Sequence, residues 1–224
     1  MGGITMYKRI LAVGDIHGEW KKFLSLYRQV QFDPQQDLLI FLGDYIDRGL
    51  RSMEALDWMY THHEEKNIIM LRGNHEQMML DYFASDCRDT LWLQNGGDVT
   101  AHALAKLDKE KQAAYLKFAA SLPLTFRFSA QGKDFFCCHA GVNPARSLDE
   151  QNPKDLLWIR EKFFDHYQGK TIIVAGHTHV GYVYWGNTTP IISENMILLD
   201  TGSYMPGGSI SCVDLLSGQF WQSA

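Results

Sequence analysis

Asp15 and His17 stand two residues apart in Gly14-Asp15-Ile16-His17-Gly18, and four further strings along the chain set a candidate ligand beside glycine. These are Gly43-Asp44-Tyr45-Ile46-Asp47-Arg48-Gly49, Gly73-Asn74-His75-Glu76, His139-Ala140-Gly141 and Gly176-His177-Thr178-His179. Carboxylate, imidazole and amide donors are what hard-to-borderline divalent cations take. Gathered in one cleft, the five strings predict a two-cation site suited to hydrolysing a phosphate ester. One such string alone is an ordinary turn.

The context makes accident a poor explanation. Leu11-Ala12-Val13, Leu38 to Leu42, Ile68 to Leu71, Phe135 to Cys138 and Ile172 to Ala175 are apolar runs of buried-strand length, and each leads into one of the strings. Ligands at the carboxyl ends of such strands would converge on a single sheet edge.

In order and spacing, these strings resemble the phosphoprotein phosphatase family of the calcineurin-like metallophosphoesterases, most of all its small bacterial and phage members. The resemblance runs from Asp15 to His179; beyond about Gly181 only the general pattern matches. It departs from the eukaryotic enzymes at Ala140-Gly141, where they have Gly-Gly, and at Gly176-His177-Thr178-His179 in place of their Arg-x-His-Gln. The resemblance implies an α/β fold, a four-layer α/β/β/α sandwich with mixed sheets. It also implies that Asn74, His139 and His177 hold a second cation.

The remaining roles follow from chemical need. Asp15 and His17 reach one ion if the turn after Val13 reverses the pleat, and Asp44 is the candidate bridge between two cations about 3.5 to 4 Å apart. The donor set has no thiolate, which suits Mn, Fe or Zn in a catalytic site, with Mn the first expectation. A water shared by two cations loses its proton near neutral pH and becomes the nucleophile. His75, next to Asn74 but outside the ligand set, is expected to protonate the leaving alkoxide, with Asp47 holding its other ring nitrogen. The bland alternatives are a helix-terminal histidine and a capping aspartate. Arg48 is the first candidate for a planar fork on phosphate. Arg160 matches the family's distal phosphate-binding arginine. Arg72 either binds substrate or clamps the site's own carboxylates.

Composition sets the outer bounds. A chain of 224 residues, 46% hydrophobic and without an apolar stretch of membrane-spanning length, is expected to fold as one soluble domain, residues 1–224. A net charge of −5 argues against a duplex nucleic-acid partner. The start lacks a signal-peptide pattern, so the expected address is cytoplasmic, with no membrane partner. Met6 is an alternative start, which would make residues 1–5 a tail. Cys87, Cys137, Cys138 and Cys212 show no C-x-x-C spacing and read as reduced thiols. Adjacent strand residues face opposite ways, so Cys137 and Cys138 read as core filling.

Between the strings the period changes to helical. Glu19 to about Val30 is expected to be a helix, Ser52 to cap a second carrying Met53, Leu56, Met59 and Tyr60, and His75 to begin a third. Gly96-Gly97 breaks the chain before helices at 99–107 and 110–121. A hairpin with a turn at Gly132-Lys133 delivers His139. Residues 155–164 have the spacing of one more helix or helical turn. Residues 182–185, 191–192, 196–200, 209–214 and 219–221 read as short antiparallel strands. Three functions fit this chain: a phosphomonoesterase acting on phosphoserine or phosphothreonine proteins, with phosphotyrosine or small phosphoesters included; a dinucleoside polyphosphate hydrolase; or a metal-binding scaffold without catalysis. The third would lack a proton donor or bridging ligand, whereas His75, Asp44 and Asn74 are all present.

Overall fold

Along the first strand, Ile10 and Ala12 face one way and Leu11 and Val13 the other, and the computed structural model buries both sets. It describes residues 7–224; the alternative start and the short tail lie outside the described residues. A strand apolar on both faces needs cover on both, which is the condition that builds layers.

In chain order the elements are β1 (Arg9–Val13), α1 (Trp20–Val30), β2 (Asp37–Phe41), α2 (Ser52–His62), β3 (Ile68–Met70) and α3 (Asn74–Ala84). A kinked turn over Leu93–Gly97, non-helical at Asn95 and Gly96, leads into α4 (Asp98–Leu104), α5 (Lys109–Ser121), β4 (Thr125–Ala130) and β5 (Lys133–Cys138). There follow α6 (Pro153–Trp158), α7 (Glu161–Phe164), β6 (Ile172–Ala175), α8 (Val180–Val183), β7 (Ile191–Ile192), β8 (Met196–Leu198), β9 (Ser211–Asp214) and β10 (Phe220–Gln222). Two mixed five-stranded sheets form among the described residues, in the orders β10-β9-β1-β2-β3 and β4-β5-β6-β8-β7.

Three apolar clusters separate four layers. Leu11, Val13, Leu39 and Phe41 pack under helices α1 to α5 through Phe23, Leu56, Met79 and Phe118. Between the sheets, Ile10, Ala12 and Ile40 meet Phe135, Cys137 and Val174. On the far side Phe136, Cys138 and Ile173 meet Leu156, Ile159 and Phe163. Cys137 and Cys138 thus belong to different layers, as strand alternation requires. Each is buried and free, as is Cys212, whereas Cys87 is exposed.

Several expectations are corrected. The ligand strings end strands of two facing sheets rather than of one: β1, β2 and β3 belong to the first, β5 and β6 to the second. Ser52 does not cap α2 but is its first residue; its hydroxyl donates to Gly49 O (2.9 Å) and accepts from the Asp47 N–H (2.9 Å). The helix expected over 155–164 is broken at Ile159–Arg160 into α6 and α7. Residues 182–185 form no strand, because α8 covers 180–183 and turns the chain at once. β8 pairs parallel with β6 and antiparallel with β7. The hairpin turn falls at Gln131-Gly132, one residue early. No helix among the described residues is long and apolar enough to cross a membrane.

Candidate metal centre

The strand ends deliver their ligands through strained turns. His17, Asp44, Asp47, Arg48 and His177 all have positive φ, between 47° and 75°. Non-glycine residues adopt this at a cost of about 1–3 kcal/mol each, a strain that persists where surrounding structure over-determines it. The over-determination is visible. Asp44 O accepts from the N–H groups of Ile16 and His17 (3.0 and 2.9 Å), which fixes the β1 turn against the β2 turn. The His177 N–H reaches both Asp15 oxygens at 3.1 Å, and the His75 N–H reaches Asp44 Oδ1 at 3.0 Å.

Asp44 lies at the middle. Its carboxylate is 3.5 Å from His17 Nε2, 3.4 Å from His139 Nε2 and 3.9 Å from His75 Nε2. Two groups with metal-holding geometry share it: His17, Asp44 and His75, and Asp44, His139 and His177. Asp15 lies beside the first, 3.9 Å from His17 Nε2. Its carboxyl is pushed well up by burial and by the charges of Asp200 and Asp44.

The donor chemistry fits cations. His139 Nδ1 donates to Leu42 O (2.9 Å), so its Nε2 presents a lone pair, yet that atom faces Asn74 Oδ1 at 2.7 Å. Two acceptors so close repel unless a cation binds them or the ring is doubly protonated. Burial holds His139 below its ordinary value and His177 well below it, so protonation is the disfavoured answer. His177 Nδ1 lies 2.8 Å from the same Asn74 oxygen, while its buried Nε2 has no partner among the described residues. At Asp44, burial works upward, but the three neighbouring imidazoles and the His75 N–H hold its carboxyl below the usual range. His17 Nδ1 is committed to Ile46 O (3.1 Å), and its Nε2 lone pair meets Arg48 Nη1 at 2.7 Å. That lone pair serves either the guanidinium or a cation.

His75 is set apart by its partners. Its Nδ1 is 2.6 Å from Asp47 Oδ2, whose carboxylate also accepts from Trp92 Nε1 (2.6 Å) and Thr100 Oγ1 (2.6 Å). Burial pulls the His75 imidazole down, but Asp44 and the Asp47 hydrogen bond outweigh it, so the net shift is upward. This is the one site imidazole inclined to hold a second proton.

Arg48 lies between two walls. The Tyr204 ring is 4.3 Å from its Cζ, and its N–H donates to Gly96 O (2.9 Å). Gly96 has φ +90°, and a Cβ there would come within 2.8 Å of Arg48 Cγ. Arg160 Nη1 donates to Thr178 Oγ1 (3.1 Å) and His177 O (3.3 Å), beside the His177 turn. Arg72 differs from its expected place: it bonds Gln77 Oε1 (2.9 Å), Leu122 O (3.2 Å) and Ala120 O, tying the end of β3 to the end of α5.

Four contributors escape the sequence pattern. Glu76 accepts from the N–H groups of Asp44, Tyr45 and Gly73 at 2.8–2.9 Å, joining two ligand turns. Its place beside His75 in the third string was the available signal. Asp200 is buried near Asp15 and Arg48. Trp92 and Thr100 have no local motif at all.

Four layers with acid, amide and imidazole donors at the strand ends define a metal-dependent phosphoesterase. The chain belongs to the calcineurin-like phosphoesterase family, whose pattern matches residues 8–200. Among its relatives, serine/threonine-protein phosphatase 1 of Salmonella typhimurium is 33% identical over 208 residues, covering 90% of this chain and 89% of that one. Serine/threonine-protein phosphatase 2 of Escherichia coli is 30% identical, covering 88% of each. The symmetrical bis(5'-nucleosyl)-tetraphosphatase of Nitrosococcus oceani is 33% identical over 135 residues, covering 60% of this chain and 44% of that one. A solved structure provisionally described as a diadenosine tetraphosphatase superposes with a TM-score of 0.74 at 18% identity, covering 99% of this chain and 95% of that one. That likeness concerns the fold alone. The chain is a hydrolase of the phosphatase class that uses divalent metal ions.

Proposed function

We propose that the protein is a serine/threonine protein phosphatase, and that Asp15, His17, Asp44, Asn74, His139 and His177 hold two divalent ions. The observation that carries this is the Asn74 oxygen facing two buried imidazole nitrogens, at 2.7 and 2.8 Å, beside the shared Asp44 carboxylate. Oxygen and nitrogen donors without thiolate suit Mn(II), Fe or Zn, and Mn(II) is the first ion to test. When bound, the ions supply Lewis-acid polarisation of the phosphoryl group and a nucleophile at neutral pH.

The chain's own groups do the rest. Arg48, freed from His17, and Arg160 grip phosphate oxygens. His75 delivers a proton from Nε2 to the leaving alkoxide, and Asp47 keeps its Nδ1 proton in place. Coverage of about nine-tenths of both chains by the relatives named protein phosphatases supports the substrate class. The Nitrosococcus relative supports a second reading, a dinucleoside polyphosphate hydrolase, over a shorter stretch. Metal-loaded protein should show a higher kcat/KM on a phosphoserine or phosphothreonine peptide than on diadenosine tetraphosphate. A strong preference for the nucleotide would overturn the choice.

A further inference from the structure

Beside the metal centre the chain leaves large aromatic rings in water. Tyr182 is 71% and Trp185 96% exposed, although such rings favour burial. With His179, Asn187, Thr188 and Met205 they line a cleft of about 310 Å³. One side of the cleft is tied to the site, where His179 and Met205 both lie against Gly202. His179 comes two residues after His177, and Met205 follows Tyr204, whose ring packs edge-on against His17 at 5.2 Å.

The walls are anchored before anything binds. Lys22 Nζ donates to Ser203 O (2.6 Å) and Gly208 O (2.7 Å), closing the neck of the loop that carries Met205. Opposite, the Val180 N–H donates to Asp200 O and the Asn187 N–H to Tyr184 O, each at 2.9 Å. A preformed cleft loses little conformational freedom on binding.

Its charge selects the occupant. Among the described residues no Lys, Arg, Asp or Glu lines it. A dinucleoside polyphosphate extending here from the metal centre would bring further anionic phosphates past walls without Lys or Arg to pair them. A neutral side chain meets aromatic faces and a thioether with no charge left unpaired. We propose that the cleft is a subsite for an apolar or aromatic side chain flanking the phosphorylated residue of a peptide, an inference that rests on the protein-phosphatase reading above.

The test is a set of phosphoserine peptides with leucine moved through the flanking positions of an otherwise glycine context. For the wild type, kcat/KM at one position should exceed the glycine peptide by on the order of 10-fold, the scale of one well-filled apolar pocket. Trp185→Ala should bring that ratio close to one, and Tyr182→Ala should lower it. Both changes remove exposed rings, and unchanged melting temperatures would show the variants folded. Titrating the leucine peptide's non-hydrolysable phosphonate should shift tryptophan emission to the blue in the wild type and not in Trp185→Phe. A ratio unmoved by Trp185→Ala would overturn the subsite. So would a KM for diadenosine tetraphosphate that rises in that variant while the peptide ratio stays put, since the cleft would then take a nucleobase. A wild type that hydrolyses no phosphoester with metals bound fails earlier, at the phosphatase reading itself.

Discussion

His75 Nδ1 and Asp47 Oδ2 are 2.6 Å apart in a wholly buried contact, and the same carboxylate is held by Trp92 and Thr100. The arrangement fixes the ring so that Nε2 faces Asp44 and the open centre, 3.9 Å away. It also favours the charged imidazole, since Asp44 and Asp47 together overcome the downward pull of burial. His75→Asn is therefore expected to lower kcat about 10²- to 10⁴-fold on poor leaving groups while metal content stays intact. Activated aryl esters should suffer less. A proton donor works below its pKa, so activity on poor leaving groups should fall as pH rises through the His75 value. Asp47→Asn removes part of the upward pull and should move that fall to lower pH. A basic limb that does not move in a pH–rate profile would remove Asp47 from this role.

The crowding of acceptors around Asn74 gives a metal prediction. With His139 Nε2 2.7 Å from the Asn74 oxygen and the His139 Nδ1 proton committed to Leu42 O, a bound cation relieves repulsion that the bare site keeps. Binding to the folded state alone stabilises it in proportion to metal concentration. Mn(II) should raise the melting temperature of chelator-treated wild type, and Asp44→Asn should shrink both that rise and the metal found by elemental analysis. Full two-ion content in Asp44→Asn would contradict the shared-ligand role.

The meeting of the five strings was legible because each ends an apolar run, and a strand end fixes where a side chain goes within narrow limits. Layering was legible for the same reason: the residues of β1 and β2 are apolar on both faces and demand cover on both. What failed depended on partners distant in sequence. Trp92 and Thr100 reach Asp47 from 45 and 53 residues away, and no local pattern encodes that meeting. Arg72 follows β3 just as the ligands follow their strands, yet the end of α5 lies close enough to capture it. Residues 182–185 have strand-like composition, but α8 turns the chain there and leaves the rings exposed. Tertiary context overrode local preference in each case.

Glu76 makes a prediction about the metal-free protein. Burial, then the charge of Asp44, lifts its carboxyl from 4.5 to about 7, against the pull of three backbone N–H donors. Between those values the folded chain keeps a proton that the unfolded chain has released. The group's contribution to stability is thus present below about pH 4.5 and lost as pH rises through about 7. Glu76→Gln cannot ionise, so the wild type should lose stability relative to it across that window, with a slope approaching one proton. Urea unfolding of both proteins at several pH values, after chelation, measures the difference. Parallel stability curves would place the titration elsewhere.

Gly96 tests the phosphate grip without touching a charged group. Its φ of +90° disfavours any side chain, and the added Cβ of alanine would press on Arg48 Cγ at 2.8 Å. The same residue accepts the Arg48 N–H, so the strain passes straight into the turn that carries the guanidinium. Across the site, the Tyr204 ring closes the other side at 4.3 Å, which limits how far Arg48 can yield. Gly96→Ala should therefore weaken phosphate binding more than it slows chemistry: KM and the inhibition constant of inorganic phosphate should rise together by roughly 10-fold, the worth of about one charge-assisted hydrogen bond. His75 and its carboxylate partner lie outside this contact, so the shape of the pH–rate profile should be retained. An unchanged phosphate inhibition constant in a folded Gly96→Ala protein would mean that Arg48 does not hold phosphate, and the grip would have to be sought at Arg160 alone.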